Sequence, residues 1–121
     1  DIVFVAKWID DFQPGDIIVF RPPYQIPDGS YIKRLIGPPN SEVFINDFEV
    51  YLNQQSFAES KTSPPYWNKH AFECRYTEVF ATKENEYFVL GDNRCDASDS
   101  RSFGPVPKEN ILGKVIYLLH L

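Results

Sequence analysis

Methionine is absent from this sequence, cysteine and histidine occur twice each, and glycine six times in 121 residues. Each scarcity removes a class of explanation. Cys74 and Cys95 do not have metal-ligand spacing and His70 and His120 are isolated, so no metal centre is expected. A disulfide between Cys74 and Cys95 stays open for an oxidising compartment, because sequence cannot supply the geometry it needs. No apolar run approaches the ~20 residues of a membrane span, and no signal-peptide pattern opens the chain. Positive charge is also scarce: 12 Lys and Arg face 17 Asp and Glu, for a net charge of −5. The cations stand singly or in pairs, whereas binding to phosphate backbones needs them clustered, so nucleic acid is not an expected partner. The chain opens at Asp1 directly in a strand-like segment without Met, which points to further residues upstream.

What is abundant points to strands. Ten Phe, seven Tyr, two Trp and ten Pro favour strands and turns over helices. The length suits one domain, residues 1–121, with a core that needs no metal. Alternating or apolar runs predict strands over residues 2–8, 17–20, 31–37, 75–81, 87–90 and 111–119. Residues 42–45 and 48–52 flank Asn46-Asp47 and predict a hairpin with that pair as its two-residue turn. Residues 53–73 have no firm period, so roughly 53–80 is read as a variable loop or small cap lobe inserted in the domain. Residues 91–107 read as a polar loop. No segment has a convincing helical period, and the predicted class is all-β with antiparallel sheets.

On the strand at 31–37, Tyr31, Lys33 and Leu35 share one face, and Ile32, Arg34 and Ile36 the other. A free lysine, with a pKa of ~10.4, is protonated at neutral pH, and desolvation on an inward face is what turns a lysine into a base. Such a base can take the proton of a serine hydroxyl. The strand pattern by itself fits better a sheet-margin lysine with its head in water. Downstream, Gly91-Asp92-Asn93-Arg94-Cys95-Asp96-Ala97-Ser98-Asp99-Ser100-Arg101 follows an apolar strand. Its Asp and Arg residues suit Asx turns and bidentate pairs, with Asp99, Arg101 and Arg34 in one shared network. Composition alone fits a solvated turn better.

Taken together, these segments resemble the type I signal peptidases. Tyr31-Ile32-Lys33-Arg34-Leu35-Ile36-Gly37 is similar to the family's lysine box, and Pro14-Gly15-Asp16-Ile17-Ile18-Val19-Phe20 to the box before it. Gly91-Asp92-Asn93-Arg94 with Ser98-Asp99-Ser100-Arg101, and the tail from Phe103-Gly104-Pro105 to Gly113-Lys114, are similar to the later ones. The resemblance covers most of the chain outside roughly residues 53–80. It implies a membrane-anchored serine endopeptidase on the extracytoplasmic face that removes signal peptides from exported preproteins through a Ser/Lys dyad, without a cofactor. By resemblance Lys33 is the general base; Arg34, Ser98, Asp99 and Arg101 support the active site; Val19, Tyr31 and Ile32 line pockets for small substrate side chains. Asp1-Ile2-Val3-Phe4-Val5 is similar to the segment just after the family's serine box, so the nucleophile is expected upstream of this sequence, and the chain alone is expected to be inactive. Four positions depart from the family: Ala97 stands where a serine usually bonds the lysine, Asn40-Ser41 replaces Gly-Asp, and Cys95 replaces an aspartate. The departures at Ala97 and Asn40-Ser41 motivate one alternative, a non-catalytic homologue that binds or assembles exported proteins; a related conjugation-pilin maturation protease is another reading.

Overall fold

The computed structural model describes residues 2–23, 29–47, 49–57, 77–92, 94 and 98–119. Ten strands lie within them: β1 (Ile2–Ala6), β2 (Ile17–Phe20), β3 (Tyr31–Gly37), β4 (Glu42–Asn46), β5 (Glu49–Leu52), β6 (Gln55–Ser56), β7 (Thr77–Ala81), β8 (Glu86–Leu90), β9 (Val106–Pro107) and β10 (Ile111–Leu119). One short helix, α1 (Ser100–Phe103), and a 3-10 turn (Lys108–Asn110) complete the described elements. The strands form a six-stranded sheet in the order β1-β10-β2-β3-β8-β9 and a four-stranded sheet in the order β6-β5-β4-β7. Every pairing is antiparallel, as the strand-and-turn composition predicts.

The two central strands, β3 and β8, bury both faces, which explains why they read as continuous apolar runs rather than clean alternations. Leu35, Tyr87 and Val89 join Phe12, Ile18, Phe20 and Val106 in one cluster. Ile36, Phe88 and Leu90 join Val43, Ile45 and Val50 in a second, which glues the larger sheet to the smaller. Gly37 sits at a close approach between the strands: a Cβ there would lie 2.7 Å from a Val43 side-chain carbon.

Both links between the sheets pass through one buried polar clasp. The Ser41 and Thr82 hydroxyls each donate to the Pro38 carbonyl, at 2.7 and 2.6 Å, and Thr82 Oγ1 accepts from the Ser41 N–H at 2.9 Å. Asn40 adopts φ 59°, a left-handed conformation that asparagine tolerates better than most non-glycine residues.

Several expectations need correction. The first strand ends at Ala6, and Trp8 projects beyond it, 79 % exposed. The β4–β5 turn falls one residue later than Asn46-Asp47: Asn46 pairs with Glu49, and Asp47 takes φ 54°. That register brings Ile45 opposite Val50 and Val43 opposite Leu52, an aliphatic pairing along the inward face. A second tight turn follows at Asn53 and Gln54, both at positive φ, where sequence suggested only loop. Residues 91–107 are not loop throughout, because Asp99 caps α1 and Val106–Pro107 pairs with β8. The expected strand start at residues 75 and 76, and most of the loop or lobe, lie outside the described residues.

Thr82→Val is expected to destabilise the chain by about 1–3 kcal/mol, since it strands the Ser41 N–H and weakens satisfaction of a buried carbonyl. Urea denaturation read by fluorescence and circular dichroism checks it.

Candidate active site

Lys33 stands on the face that carries the first cluster. Its strand neighbours on that face, Tyr31 and Leu35, both pack into the cluster, Tyr31 from its margin. Across the sheet Ile18 lies directly opposite Lys33, and Lys114 opposite Ile18, so the three form one cross-strand row. Lys114 is neutralised by Asp16, with Nζ 2.9 Å from Oδ2. Lys33 is half-buried, and its Nζ lies 5.8 Å from the centroid of the Tyr31 ring. Among the described residues the ammonium has no hydrogen-bond acceptor and no carboxylate within salt-bridge distance.

Beside this lysine one edge of β3 is covered by no described strand. Pairing with β2 covers Tyr31 to Arg34, but pairing with β8 begins only at Arg34, opposite Leu90. On the side away from β2, no described strand pairs with the backbone of residues 31–33.

Val19 and Ile32 form a cross-strand pair on the opposite face, where Ile32 is 50 % exposed. The structure thus groups Tyr31 with Lys33, and separates both from Val19 and Ile32. Arg34 shares the face of Ile32 and is buried. Its Nε and Nη2 donate to the two carboxylate oxygens of Asp92, each at 2.9 Å, and Nη1 donates to the Gly15 carbonyl at 2.8 Å. Arg34 therefore ties the Pro14-Gly15-Asp16 turn to the start of the polar loop.

Asp99 organises the rest of that loop. It is completely buried, and its oxygens accept from the N–H of Gly91 (3.0 Å), the N–H of Arg101 (3.1 Å), and Arg101 Nε and Nη2 (2.9 and 2.8 Å). Arg101 Nη2 also donates to the Arg94 carbonyl at 2.7 Å, while Arg94 Nε donates to the Gly91 carbonyl at 2.7 Å. Ser100 Oγ accepts from the Val89 N–H at 2.9 Å, so two loop side chains cap the β8 edge beyond the reach of β9. Ser98 is exposed. Cys74, Cys95 and Ala97 lie outside the described residues, and with them the candidate disulfide.

The expected network of Asp99, Arg101 and Arg34 is corrected in one respect: the bidentate partner of Arg34 is Asp92, which sequence reasoning did not single out. The missing signal is strand order. Leu90 is the register partner of Arg34, and Asp92 follows two residues later, but nothing in the sequence announces that β3 and β8 are neighbours. Arg94 and Ser100 were missed too, as polar loop residues whose composition suggests solvent although both are buried.

Removing one partner of a buried ion pair leaves a charge without compensation. Arg101→Met is accordingly expected to cost about 3–5 kcal/mol of stability, checked by urea denaturation.

Comparison with known proteins converges on one family. The family model described as signal peptidase, peptidase S26, matches residues 1–119. Signal peptidase I of Rickettsia bellii is 33 % identical over an alignment covering 86 % of this chain and 46 % of its own length. A probable signal peptidase I-2 of Synechocystis is 34 % identical, covering 91 % and 49 %. The chain thus spans about half the length of the curated relatives it matches. A crystal structure of a signal peptidase I from Enterococcus faecalis superposes with a TM-score of 0.69 at 29 % identity, covering 86 % of this chain and 96 % of that one. Box order, antiparallel architecture and the match along nearly the whole chain agree: this chain belongs to the signal peptidase family, peptidase S26.

Proposed function

We propose that this chain is the catalytic core of a membrane-anchored signal peptidase I, acting on the extracytoplasmic face, and that Lys33 is its general base. The observation that carries the reading is a lysine without a counterion among the described residues, half-buried beside a strand edge that no described strand covers. A signal peptide can add to the edge at residues 31–33 as an extra strand, with main-chain hydrogen bonds for affinity. It then meets Tyr31 on the lysine's face of the sheet and Val19 with Ile32 on the other. Those three residues form the apolar surface for small substrate side chains. Arg34, Asp99 and Arg101 hold the loop in place, and Ser98 lies at its exposed border.

The chemistry is a Ser/Lys dyad. The Lys33 amine takes the hydroxyl proton as the serine oxygen bonds to the scissile carbonyl carbon. The same proton then passes to the leaving amine, and water hydrolyses the acyl-enzyme in a second step. No described serine in this chain hydrogen-bonds Lys33; Ser41, Ser100 and Ser102 are engaged by Pro38, Val89 and Asp99. The proposal places the nucleophile, and a membrane anchor with it, upstream of this sequence because residues 1–5 resemble the segment just after the family's serine box. Among the described residues no helix is long and apolar enough to cross a membrane.

In the intact protein, Lys33→Ala is expected to lower preprotein cleavage at least about 100-fold, the lower bound for losing a general base. Cleavage at the unchanged rate overturns the assignment. Offering pilin precursors beside preproteins identifies the substrate class, and a wild-type protein that processes neither supports a binding role instead. The 121-residue chain alone is expected to show no acyl-enzyme burst with an activated peptide ester; a stoichiometric burst places the nucleophile within it.

A further inference from the structure

We infer that Phe103 is a positioning residue for Lys33, acting through the ring of Tyr31. The catalytic consequence rests on the reading of Lys33 as base; the positioning itself does not. Beside the lysine, three rings close a triangle. Phe20 and Tyr31 have centroids 6.2 Å apart at 75°, Phe20 and Phe103 6.1 Å apart at 51°, and Tyr31 and Phe103 6.2 Å apart at 58°. All three separations lie in the range of about 4.5–7 Å where aromatic pairs attract, and none is a face-to-face sandwich.

The three rings come from different parts of the fold. Phe20 is fully buried at the end of β2, and Tyr31 opens β3 directly opposite it. Phe103 closes α1, whose first turn is capped by Asp99 and whose Ser100 hydroxyl is bound to the β8 edge. Tyr31 is thus held from the sheet on one side and from the loop on the other. Its ring carries the Lys33 ammonium at 5.8 Å, within the ~6 Å of a cation–π contact. A lysine has several rotatable bonds, and here no described acceptor or carboxylate fixes the nitrogen. Among the described residues the ring is the contact that limits where the nitrogen can go, and Phe103 together with Phe20 limits the ring. The loop set by Asp99 therefore reaches the base through an aromatic side chain rather than a polar one.

The test uses lysine isotopically labelled at the side chain, in the 121-residue chain. Protons close to a ring face resonate upfield, so the Lys33 ε-methylene reports the contact. Tyr31→Leu is expected to abolish its upfield shift, Phe103→Leu to at least halve it, and Phe103→Trp to retain it. Where Phe103→Leu does not give a native amide spectrum, Phe103→Met, which keeps apolar volume without a ring, replaces it. An unchanged Lys33 shift in a folded, ringless variant at position 103 overturns the inference, whatever the protein cleaves. In the intact protein the same ringless variant is expected to lower kcat for preprotein cleavage about 10- to 100-fold at unchanged KM, the size of effect that misplaced reacting groups produce. Phe103→Trp is expected to keep kcat near wild type. A loss confined to KM overturns the positioning role. A wild-type protein without cleavage activity, combined with a shift lost on removing the ring, removes the protease reading and leaves the positioning intact.

Discussion

The carboxylate of Asp99 has no contact with solvent, and four N–H groups converge on it from Gly91 and Arg101. A carboxyl group in such a place is costly unless every lone-pair direction is answered, and the loop is folded around answering them. The Gly91 N–H fixes where β8 ends and the Arg101 N–H starts α1. The Arg101 guanidinium then reaches the Arg94 carbonyl and closes the loop on itself. Ser100 and Phe103 follow from this arrangement, because a capped turn of helix directs one to the Val89 N–H and the other to the rings beside Lys33. A small polar constraint thus determines apolar contacts on the far side of the loop.

Lys33 and Arg34 show how a strand assigns different work to sequence neighbours. Alternation sends them to opposite faces, one toward the first cluster and one toward the junction between the sheets. Arg34 is buried and bonded to groups on two other segments, Gly15 and Asp92, which suits a guanidinium with a fixed fork of donors. Lys33 meets an aromatic ring and, among the described residues, no carboxylate. Exchanging the two would put a compact ammonium where a fork is needed. The edge of β3 adds the remaining element: β8 is in register with β3 only from Arg34 onward, so the lysine stands where pairing among the described strands ends on that side.

The periodicity of the sequence made most of this legible. The faces of Tyr31, Lys33 and Leu35, the buried strands and the antiparallel class all follow from side-chain alternation and the placement of Pro and Gly. What escaped depends on long-range pairing or on a local conformation with a weak signature. The partner of Arg34 required knowing that β3 adjoins β8, residues 58 positions apart. The β4–β5 turn moved by one residue because inward rows of Val43 with Leu52 and Ile45 with Val50 outweighed the turn preference of Asn46-Asp47. The turn at Asn53 and Gln54 places a glutamine at φ 69°, a choice composition does not suggest. Four residues of helix are too few to show a period at all.

The departures from the family pattern at Asn40-Ser41 can now be weighed physically. Asn40 takes the left-handed conformation that a glycine would take there, at φ 59°, and its N–H is bonded to the Lys83 carbonyl. Ser41 shares the Pro38 carbonyl with Thr82, so its hydroxyl is satisfied inside the clasp. The substitution is therefore absorbed where it occurs, at the junction of the two sheets, and gives no ground of its own for a loss of catalysis. By resemblance, the other departure that bears on Lys33 is the alanine at position 97, where the family usually has a serine. On the proposed reading of Lys33 as base, a nitrogen without a polar partner among the described residues is oriented by packing or samples several rotamers, each with its own cost in rate. Tyr31, held between Phe20 and Phe103, supplies packing at the place where it is needed.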